Sequence, residues 1–385
     1  MNALRARLDE RARELGASEL RVADAGADAL TRERMRASFA RGDLKTWGYD
    51  ERYAAAASDA ATLLEGAQRI VCVAVPYRTR DAVACGPLRG RVSNYAWSHD
   101  YHGTLRAILT ELASMMDDHA GRTVTRIACD TAPLGERAAA ARAGLGWIGK
   151  HTGLIAPGAG SYVFLGEIAT SLPLAVDVPL RKTCGSCTRC VTGCPTGALR
   201  GDYTIDANKC IADLTQRTGA IPRPLRPLIG DWVWGCDICQ VVCPPNYRTS
   251  AAVSDAFVPQ DEVAASPDLL ALLHLKSAEY KKRYRSTAMG WRGAAVLRRN
   301  AAIALGNLGD RSAVPALVQS LGRDPHPMVR GASAWALGRI ASPAALGALD
   351  SAAHSERDPS VREEIGFALV EASGTTGADA PLEHL

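Results

Sequence analysis

The sequence has no long apolar run and no recognisable export signal. No stretch comes near the roughly 20 consecutive apolar residues that a transmembrane helix needs. The N-terminal residues MNALRARLDERARELGASEL form a charged amphipathic pattern without an apolar centre or a small-residue cleavage site. We therefore expect a cytoplasmic protein without a membrane-spanning segment, in a reducing compartment where disulfides are rare.

The sequence also lacks a strong charge imbalance and the commonest catalytic motifs. Its 45 Lys and Arg residues nearly balance 41 Asp and Glu residues, so the net charge of +4 does not by itself indicate a nucleic-acid-binding protein. No P-loop, GxSxG or HExxH pattern is present. The glycines at 144, 146 and 149 do not form GxGxxG after a strand, which argues against a dinucleotide site.

The first part of the chain, residues 1–177, alternates strand and helix patterns. GAQRIVCVAVPY, VTRIACD and SYVFLGEIAT indicate strands, whereas SHDYHGTLRAILTELASMMDDHAG and ERAAAARAGLG indicate helices. This order predicts an α/β or α+β domain. Asp130 ends one of the predicted strands, where α/β proteins commonly place catalytic residues.

The remainder divides into three further segments. Residues 178–250 hold eight of the eleven cysteines and too few apolar residues for a core of their own. Residues 251–290 form a basic linker, and residues 291–385 contain an internal repeat of about 31 residues. Copies that start at Arg299 and Arg330 each read as helix, turn and helix, with a partial copy from Arg362, which predicts HEAT-like repeats.

Four cysteines are closely spaced in CGSCTRCVTGCP, which begins at Cys184. This is the C-x2-C-x2-C-x3-C-P pattern of two-cluster ferredoxins, in which the fourth cysteine binds the other cluster. A lone cysteine and the run CDICQVVCP supply a second set. We therefore predict two 4Fe–4S clusters, one bound by Cys184, Cys187, Cys190 and Cys243 and the other by Cys194, Cys210, Cys236 and Cys239.

Structural zinc is the alternative for this segment, because paired CxxC units also bind zinc. The dense run of cysteines and the two Cys-Pro endings favour the clusters. Cys72, Cys85 and Cys129 lie outside the pattern. We expect Cys72 and Cys129 to be buried, since free cysteine commonly behaves as a small apolar residue.

Several motifs occur in the same order as in the epoxyqueuosine reductase family. They are YAWSHDYHG, DTAPLGERAAAARAGLGWIGK, FLGEI, CGSCTRCVTGCPTGAL and WGCDICQVVCP. With the basic linker and the repeats, the resemblance covers nearly the whole chain. It implies a cobalamin-binding domain of the type found in nitroreductases and reductive dehalogenases, followed by a ferredoxin-like two-cluster domain and HEAT-like repeats.

The activity that this resemblance implies is the reduction of epoxyqueuosine to queuosine at the wobble position of tRNA. The clusters would pass electrons from a low-potential donor to base-off cobalamin, and the aspartate of DTAP, Asp130, would donate a proton. Burial beneath an apolar macrocycle would raise the pKa of this carboxyl, as a general acid requires. The alternative for Asp130 is a role in capping the turn before the helix near Glu136.

No histidine is expected to bind cobalt, because the chain lacks a DxHxxG pattern. We interpret His99 and His102 as structural hydrogen-bonding residues. Three of the candidate residues also have structural interpretations. Lys150 could be a solvated surface residue, Glu167 could form an ion pair, for instance with Arg137, and Asp237 could cap a turn. By resemblance, we expect cobalamin to contact Ser93, Asp130, Lys150, Leu154, Phe164, Glu167, Ala212, Cys236 and Asp237.

Residues 276–299, KSAEYKKRYRSTAMGWRGAAVLRR, carry eight Lys or Arg against one Glu, with three aromatic residues between them. Basic side chains neutralise phosphates, and aromatic rings stack on exposed bases. HEAT-like repeats also serve as protein-binding scaffolds, which is the alternative. We predict RNA contacts from Arg217, Arg223, Lys281, Lys282, Arg283, Arg285, Trp291, Arg292 and Arg298.

Two other functions compete with a monomeric tRNA-modifying reductase. One is a corrinoid reductase of a small molecule, as in reductive dehalogenases, which typically have an export signal and no terminal repeats. The other is a non-catalytic electron-transfer module that docks through its repeats, which would leave Asp130 without a task.

Overall fold

The structure, a computed structural model, describes residues 1–79, 86–249, 254–261 and 264–374. Cys85 and the last eleven residues of the predicted repeat segment lie outside the described residues. The strands are β1 Glu19–Asp24, β2 Arg69–Pro76, β3 Arg91–Val92, β4 Thr125–Ala128, β5 Trp147–Ile148, β6 Leu154–Ile155, β7 Val163–Thr170 and β8 Trp232–Trp234.

The α-helices in the first two thirds of the chain are short, apart from three. They are α1 Asn2–Glu14, α2 Ala29–Ala40, α3 Glu51–Ala57, α4 Tyr101–Ala120, α5 Glu136–Arg142, α6 Arg189–Gly193, α7 Ile211–Gln216, α8 Arg226–Ile229 and α9 Ile238–Val241. The remaining helices are α10 Leu269–Leu273, α11 Ser277–Arg283, α12 Ala294–Leu308, α13 Val314–Arg323, α14 Pro327–Ile340, α15 Pro343–Ser355 and α16 Pro359–Ala372.

The chain divides into two compact units. The first, called here the α+β unit, comprises the described residues of 1–82, 94–213 and 237–261. The second, the helical unit, comprises those of 83–93, 214–236 and 262–385. Each unit is therefore assembled from segments that are distant in the sequence.

A four-stranded sheet in the order β1-β2-β7-β4 forms the centre of the α+β unit. All three strand pairs are antiparallel. One face packs on an apolar cluster that includes Leu105, Leu109 and Leu112 of α4, and the other on a cluster that includes Ala139 and Ala140 of α5. Because helices cover both faces, the central strands are apolar along nearly their whole length.

This sheet gives the α+β form of the predicted domain rather than the parallel α/β form. In an antiparallel sheet the carboxyl ends of the strands do not meet at one edge. The position of Asp130 after β4 therefore does not follow from the rule for parallel sheets, and its surroundings must be read from the structure. Cys72 and Cys129 are buried, as expected.

The helical unit contains the predicted repeats as the successive helices α12 and α13, then α14 and α15, followed by α16, with α14 packed against both α12 and α16. Gly306 lies against the backbone of Ala336, and Gly338 lies against that of Ala368; a side chain at either glycine would collide with the neighbouring helix. These glycines are 32 residues apart and mark equivalent positions. They allow the helices of successive repeats to pack closely.

The repeats also share an internal ion pair. Arg298 contacts Asp324 at 2.7 Å, and Arg330 contacts Glu356 at 2.7 Å. Arg298 is thus the equivalent of Arg330, and the register predicted from Arg299 is wrong by one residue. The sequence similarity of the two segments did not fix the register, whereas the repeated ion pair does.

Candidate functional site

Asp130 lies in the loop after β4 with a left-handed backbone, at a φ of +54°. Its backbone N–H donates to the Glu136 carboxylate at the start of α5. Its side chain is 55% exposed, so the protein alone does not bury this carboxyl. Helix α5 begins after Gly135 without a side-chain cap, so the Asp130 side chain does not cap this helix itself.

His102 holds the carboxyl of Asp130 from the other side. Its Nε2 lies 3.1 Å from Asp130 Oδ2, and its Nδ1 lies 2.6 Å from Asp100 Oδ1. Asp100 is the N-cap of α4 and also accepts the backbone N–H of His102. The imidazole stacks on Tyr101, with ring centres 4.2 Å apart. The hydrogen bonds to Asp100 and Asp130 raise the pKa of His102 to about 9.

Two further carboxyl groups lie in the same unit. Glu136 is half-buried, and burial raises its pKa to about 7. Glu167 in β7 is fully buried, and its two carboxyl oxygens have no hydrogen-bond partner among the described residues. Burial, and secondly Glu136, raise the pKa of Glu167 far above its ordinary value. Both influences favour the neutral form of the Glu167 carboxyl.

The ion pair with Arg137, one alternative for Glu167, is not formed among the described residues. Arg137 instead donates to the backbone carbonyl of Thr152 at 2.9 Å. Lys150, in the same loop region, donates its backbone N–H to Cys184 Sγ at 3.4 Å and its ammonium group to the carbonyl of Gly185 at 2.9 Å. Lys150 thus lies against the first cysteine run, with its ammonium group at the surface.

Leu154 and Phe164 belong to the interior of the α+β unit. Leu154 in β6 is only 3% exposed. Phe164 in β7 is 8% exposed, and its ring stacks between Tyr77 at 4.3 Å and Tyr101 at 4.1 Å. Their side chains therefore serve the core, which limits the contact that either can make with a cofactor.

The loop around β5 carries unsatisfied polar atoms. Trp147 Nε1 and His151 Nε2 are buried and have no hydrogen-bond partner in the described part of the chain. Burial lowers the pKa of His151 to about 4, so this imidazole is neutral. Buried polar atoms are normally satisfied, and a ligand with amide side chains, such as cobalamin, would supply partners here. The residues present fit such a group.

The cysteines of the α+β unit fall into two neighbourhoods. Burial and the nearby sulfurs of Cys184, Cys190 and Cys187 raise the pKa of Cys243 to about 12. This is the set of residues predicted for one cluster, although Cys243 follows Cys190 by more than fifty residues. The fold therefore brings Cys243, from the second cysteine run, close to the cysteines of the first run.

The other neighbourhood contains Cys194, Cys210 and Cys239. Burial raises the pKa of Cys210, as does Cys194 to a smaller extent. Burial also raises the pKa of Cys239, with Cys210 the largest of its charged neighbours. Cys236, the fourth predicted ligand, is half-buried.

The other predicted cofactor contacts lie at the segment boundaries. Asp237 is buried and accepts the backbone N–H of Asn94 at 2.7 Å, and its side chain does not cap α9. In the helical unit, Ser93 is buried and donates its backbone N–H to the carbonyl of Trp234. Ala212 in α7 is half-buried.

Some residues predicted to bind RNA have other partners in the helical unit. Arg298 is 11% exposed and paired with Asp324, whereas Arg223 is 17% exposed and paired with Glu364 and Glu371. The rings of Tyr280 and Tyr284 are buried, so they cannot stack on bases as the interleaved pattern suggested. These four residues stabilise the unit itself.

The exposed part of the basic segment is smaller. Lys281, Lys282 and Arg285 are exposed at and after the end of α11. Trp291 is 50% exposed, and the guanidinium of Arg292 lies 3.7 Å from the centre of its ring. Arg283 and Arg217 are half-buried, with Arg283 against the ring of Tyr284.

Sequence reasoning missed the roles of Asp100, His102 and Glu136 around Asp130. The only signal was the spacing in DYH, where a helix-capping aspartate stands two residues before a histidine. The link from His102 to Asp130 spans 28 residues and depends on the fold.

Among the described residues, no helix is both long enough and apolar enough to cross a membrane.

Comparisons with known proteins match three segments of the chain. Residues 58–131 match the family described as epoxyqueuosine reductase QueG, residues 183–246 match the 4Fe-4S double cluster binding domain, and residues 293–370 match HEAT repeats. The fold and the cysteine-rich segment thus define an iron–sulfur oxidoreductase with a C-terminal helical repeat array. The cluster match favours iron–sulfur centres over the zinc alternative.

The curated relatives identify the family. The epoxyqueuosine reductase of Bacillus subtilis is 38% identical over 320 residues, which are 82% of this chain and 83% of that protein. That of Salmonella typhimurium is 39% identical over 280 residues, 71% of this chain and 72% of that protein. The chain belongs to the epoxyqueuosine reductase family.

Solved structures agree with this assignment. A crystal structure of epoxyqueuosine reductase with an epoxyqueuosine-modified tRNA-Tyr stem loop has a TM-score of 0.90 at 33% identity, and covers 97% of this chain and 99% of that chain. A structure of the Bacillus subtilis enzyme, described as having its catalytic aspartate loop swung out of the active site, has a TM-score of 0.89 at 33% identity. It covers 96% of this chain and 99% of that chain.

Proposed function

We propose that this enzyme reduces epoxyqueuosine to queuosine in tRNA, with Asp130 as the proton donor, and that it uses cobalamin and two 4Fe–4S clusters. The observation that carries the proposal is the placement of Asp130. Its exposed carboxyl is held by His102, and its backbone by Glu136, in the unit that also contains seven of the eight cysteines of the cluster pattern. An exposed acid held by two neighbours is available to a substrate.

The relatives support this proposal. One solved relative contains an epoxyqueuosine-modified stem loop, and another has a catalytic loop that is named for an aspartate. The loop after β4 is the corresponding candidate here, because it carries Asp130 within the family motif DTAP.

The reaction removes the epoxide oxygen as water and leaves an alkene. It consumes a pair of electrons and a pair of protons for each oxygen expelled. The oxygen is a poor leaving group unless it is protonated, and a carboxyl group within hydrogen-bond reach of it supplies this proton. Asp130 has this role in the proposal.

Cobalamin would be held near the loop around β5, where Trp147 and His151 carry unsatisfied ring nitrogens, and beside Lys150, Ala212 and Asp237. When bound, cobalamin supplies low-potential electron transfer to the epoxide carbon. A cofactor held beside the Asp130 loop would displace water from this carboxyl. The thiolates of the predicted cluster sets would hold the iron–sulfur centres that accept electrons from a low-potential donor.

The RNA surface of the proposal lies in the helical unit. It is formed by the exposed Lys281, Lys282, Arg285 and Trp291, with the half-buried Arg292 against the ring of Trp291. Its lysines and arginines would neutralise phosphates, and Trp291 would stack on a base. The substrate is a cytoplasmic tRNA, so we place the enzyme in the cytoplasm and expect it to act as a monomer.

The test is turnover of an anticodon stem loop that bears epoxyqueuosine, with a chemical reductant and the fully loaded enzyme. We expect Asp130→Asn to retain clusters, cobalamin and stem-loop binding but to lose at least about 100-fold in turnover, because the amide cannot donate an acidic proton. Asp118→Asn is the matched control, since Asp118 is exposed on α4 away from the described site contacts. Full activity of Asp130→Asn would refute the proposed role.

A further inference from the structure

The proton balance of the proposed reaction places a demand on Asp130 that its own carboxyl cannot meet. One carboxyl holds one proton, whereas the expulsion of an epoxide oxygen as water consumes a pair of protons. Asp130 must therefore be reprotonated in each turnover. Under the proposed function, substrate and cofactor would occupy the exposed side of its carboxyl, so the proton would come from the protein side.

His102 is the side chain in contact with the Asp130 carboxyl. The 3.1 Å separation of His102 Nε2 from Asp130 Oδ2 is within hydrogen-bond range. The ring contacts Asp100 Oδ1 through Nδ1 and stacks on Tyr101, and the backbone N–H of His102 donates to the same Asp100 oxygen. The side chain of His102 is 25% exposed, so it can exchange protons with water.

We propose that His102 returns a proton to Asp130 during the reduction and that Asp100 positions the imidazole for this transfer. This inference rests on the proposed function of Asp130. In the transfer, the Nε2–H bond of the imidazolium breaks, and an O–H bond forms on the Asp130 carboxylate, with no change in oxidation state. The neutral imidazole keeps its Nδ1–H bonded to Asp100 and is reprotonated at Nε2 by water.

The charges around His102 favour this cycle. Asp100 and Asp130 face the ring directly, and Glu136 of α5 interacts with it electrostatically. These acidic groups, chiefly the first two, keep the pKa of His102 near 9, so the ring carries a proton at neutral pH. Arg106 of α4 is the nearby opposing charge, and it interacts with Asp100. Desolvation of the His102–Asp130 ion pair by a bound cofactor would favour the neutral pair, in which the proton is on Asp130.

Other titratable neighbours are less suited to this role. The carboxylate of Glu136 accepts the backbone N–H of Asp130 rather than contacting its side chain. Burial raises the pKa of Tyr101 far above its ordinary value, so its phenol does not donate a proton at neutral pH. Glu167 is fully buried and has no hydrogen bond to Asp130.

The test uses the loaded enzyme with His102→Gln, which retains hydrogen-bonding groups but does not titrate, and His102→Ala with added imidazole. We expect both variants to lose at least about tenfold in turnover while keeping cluster absorbance, cobalamin and stem-loop affinity within twofold. Imidazole should restore a substantial part of the turnover of His102→Ala, because it can fill the space and carry the proton. His99→Gln is the control, since His99 is exposed and bonded to Gln260 instead.

Asp100→Asn provides a second measurement that does not remove the histidine. We expect the basic limb of the pH–rate profile to move from near 9 in the wild type towards 6.5, because the largest cause of the raised pKa of His102 is lost. A wild-type profile in Asp100→Asn, or a loss of turnover in His102→Ala that imidazole does not relieve, would show that His102 is only a structural tether. A wild-type enzyme without turnover would instead overturn the proposed function, and this inference with it.

Discussion

Among the described residues, the buried carboxyl of Glu167 in the α+β unit has no hydrogen-bond partner. In the helical unit, the buried guanidinium of Arg299 donates to the carbonyl oxygens of Leu214, Thr215, Arg217 and Gly219. Both side chains are 0% exposed. The hydrogen bonds of the guanidinium join the segment 214–219 to helix α12. The carboxyl of Glu167 makes no such link between elements among the described residues.

The two residues thus differ in role: the buried Arg299 stabilises the fold through hydrogen bonds, whereas the buried Glu167 makes none that would stabilise it among the described residues. A buried polar group without a partner costs stability, so its presence requires another explanation. Glu167 lies in the same unit as Asp130. The charged group that raises its pKa is Glu136, whose carboxylate accepts the backbone N–H of Asp130. The helical unit, by contrast, pairs the buried guanidinium of Arg226 with Glu364 at 2.8 Å.

Replacement of Arg299 is the most severe test of this comparison. We expect Arg299→Met to lower the free energy of unfolding by about 3–5 kcal/mol, because the carbonyl groups around it would be left buried and unpaired. Chemical denaturation of the full chain, followed by circular dichroism, measures the effect. Arg311→Met, at an exposed position of the same unit, should change stability by no more than about 0.5 kcal/mol. Equal effects of the two changes would remove the structural role of Arg299.

Charge reversal at exposed lysines extends the comparison to charged residues that do not stabilise the fold. We expect Lys281→Glu with Lys282→Glu to weaken binding of the stem loop about tenfold and to flatten the salt dependence of binding, while stability is unchanged. Fluorescence anisotropy over a range of salt concentrations is the measurement. The control is Arg311→Glu with Arg323→Glu, on the exposed surface of the repeats. An unchanged salt slope for the lysine pair would exclude this segment from the RNA surface.

The smallest expected effect concerns Glu167 itself. The folded-state pKa of Glu167 lies above the value of 4.5 for an unfolded chain, so folding opposes its ionisation, and its contribution to stability falls as the pH rises above about 4.5. Glutamine does not ionise. In protein with clusters but without cobalamin, Glu167→Gln should therefore gain stability relative to the wild type between about pH 5 and pH 8, by about 1 kcal/mol or more. Thermal unfolding measures this, and a difference that does not vary with pH would show that Glu167 has a partner.

Much of this organisation could be predicted from local sequence patterns. The strands around Val71 and Phe164, helix α4, the repeats and the cysteine-rich segment all carry strong periodicity or spacing. The antiparallel order of the sheet could not be predicted, because alternation shows that a strand is buried but not which strand lies beside it. The grouping of Cys243 with the first cysteine run could be predicted, because in the two-cluster ferredoxin pattern the last cysteine of each run binds the cluster of the other run.

Side-chain partners were the weakest part of the sequence reasoning. Arg298 and Arg223 looked like RNA-binding residues because they lie in or near a basic segment, yet each pairs with a carboxylate. These partners are 26 residues or more away, and composition does not show them. The same limit hid the link between His102 and Asp130, which only the packing of α4 beside β4 creates.

The left-handed backbone at residue 130 determines which substitutions there can be interpreted cleanly. Among residues other than glycine, asparagine and aspartate adopt this conformation most readily, whereas alanine pays a steric penalty of roughly 1 kcal/mol. An alanine variant would thus alter loop geometry and chemistry together, and a glycine variant would loosen the loop. Asparagine alone removes the ionisable oxygen while leaving the chain trace as it is.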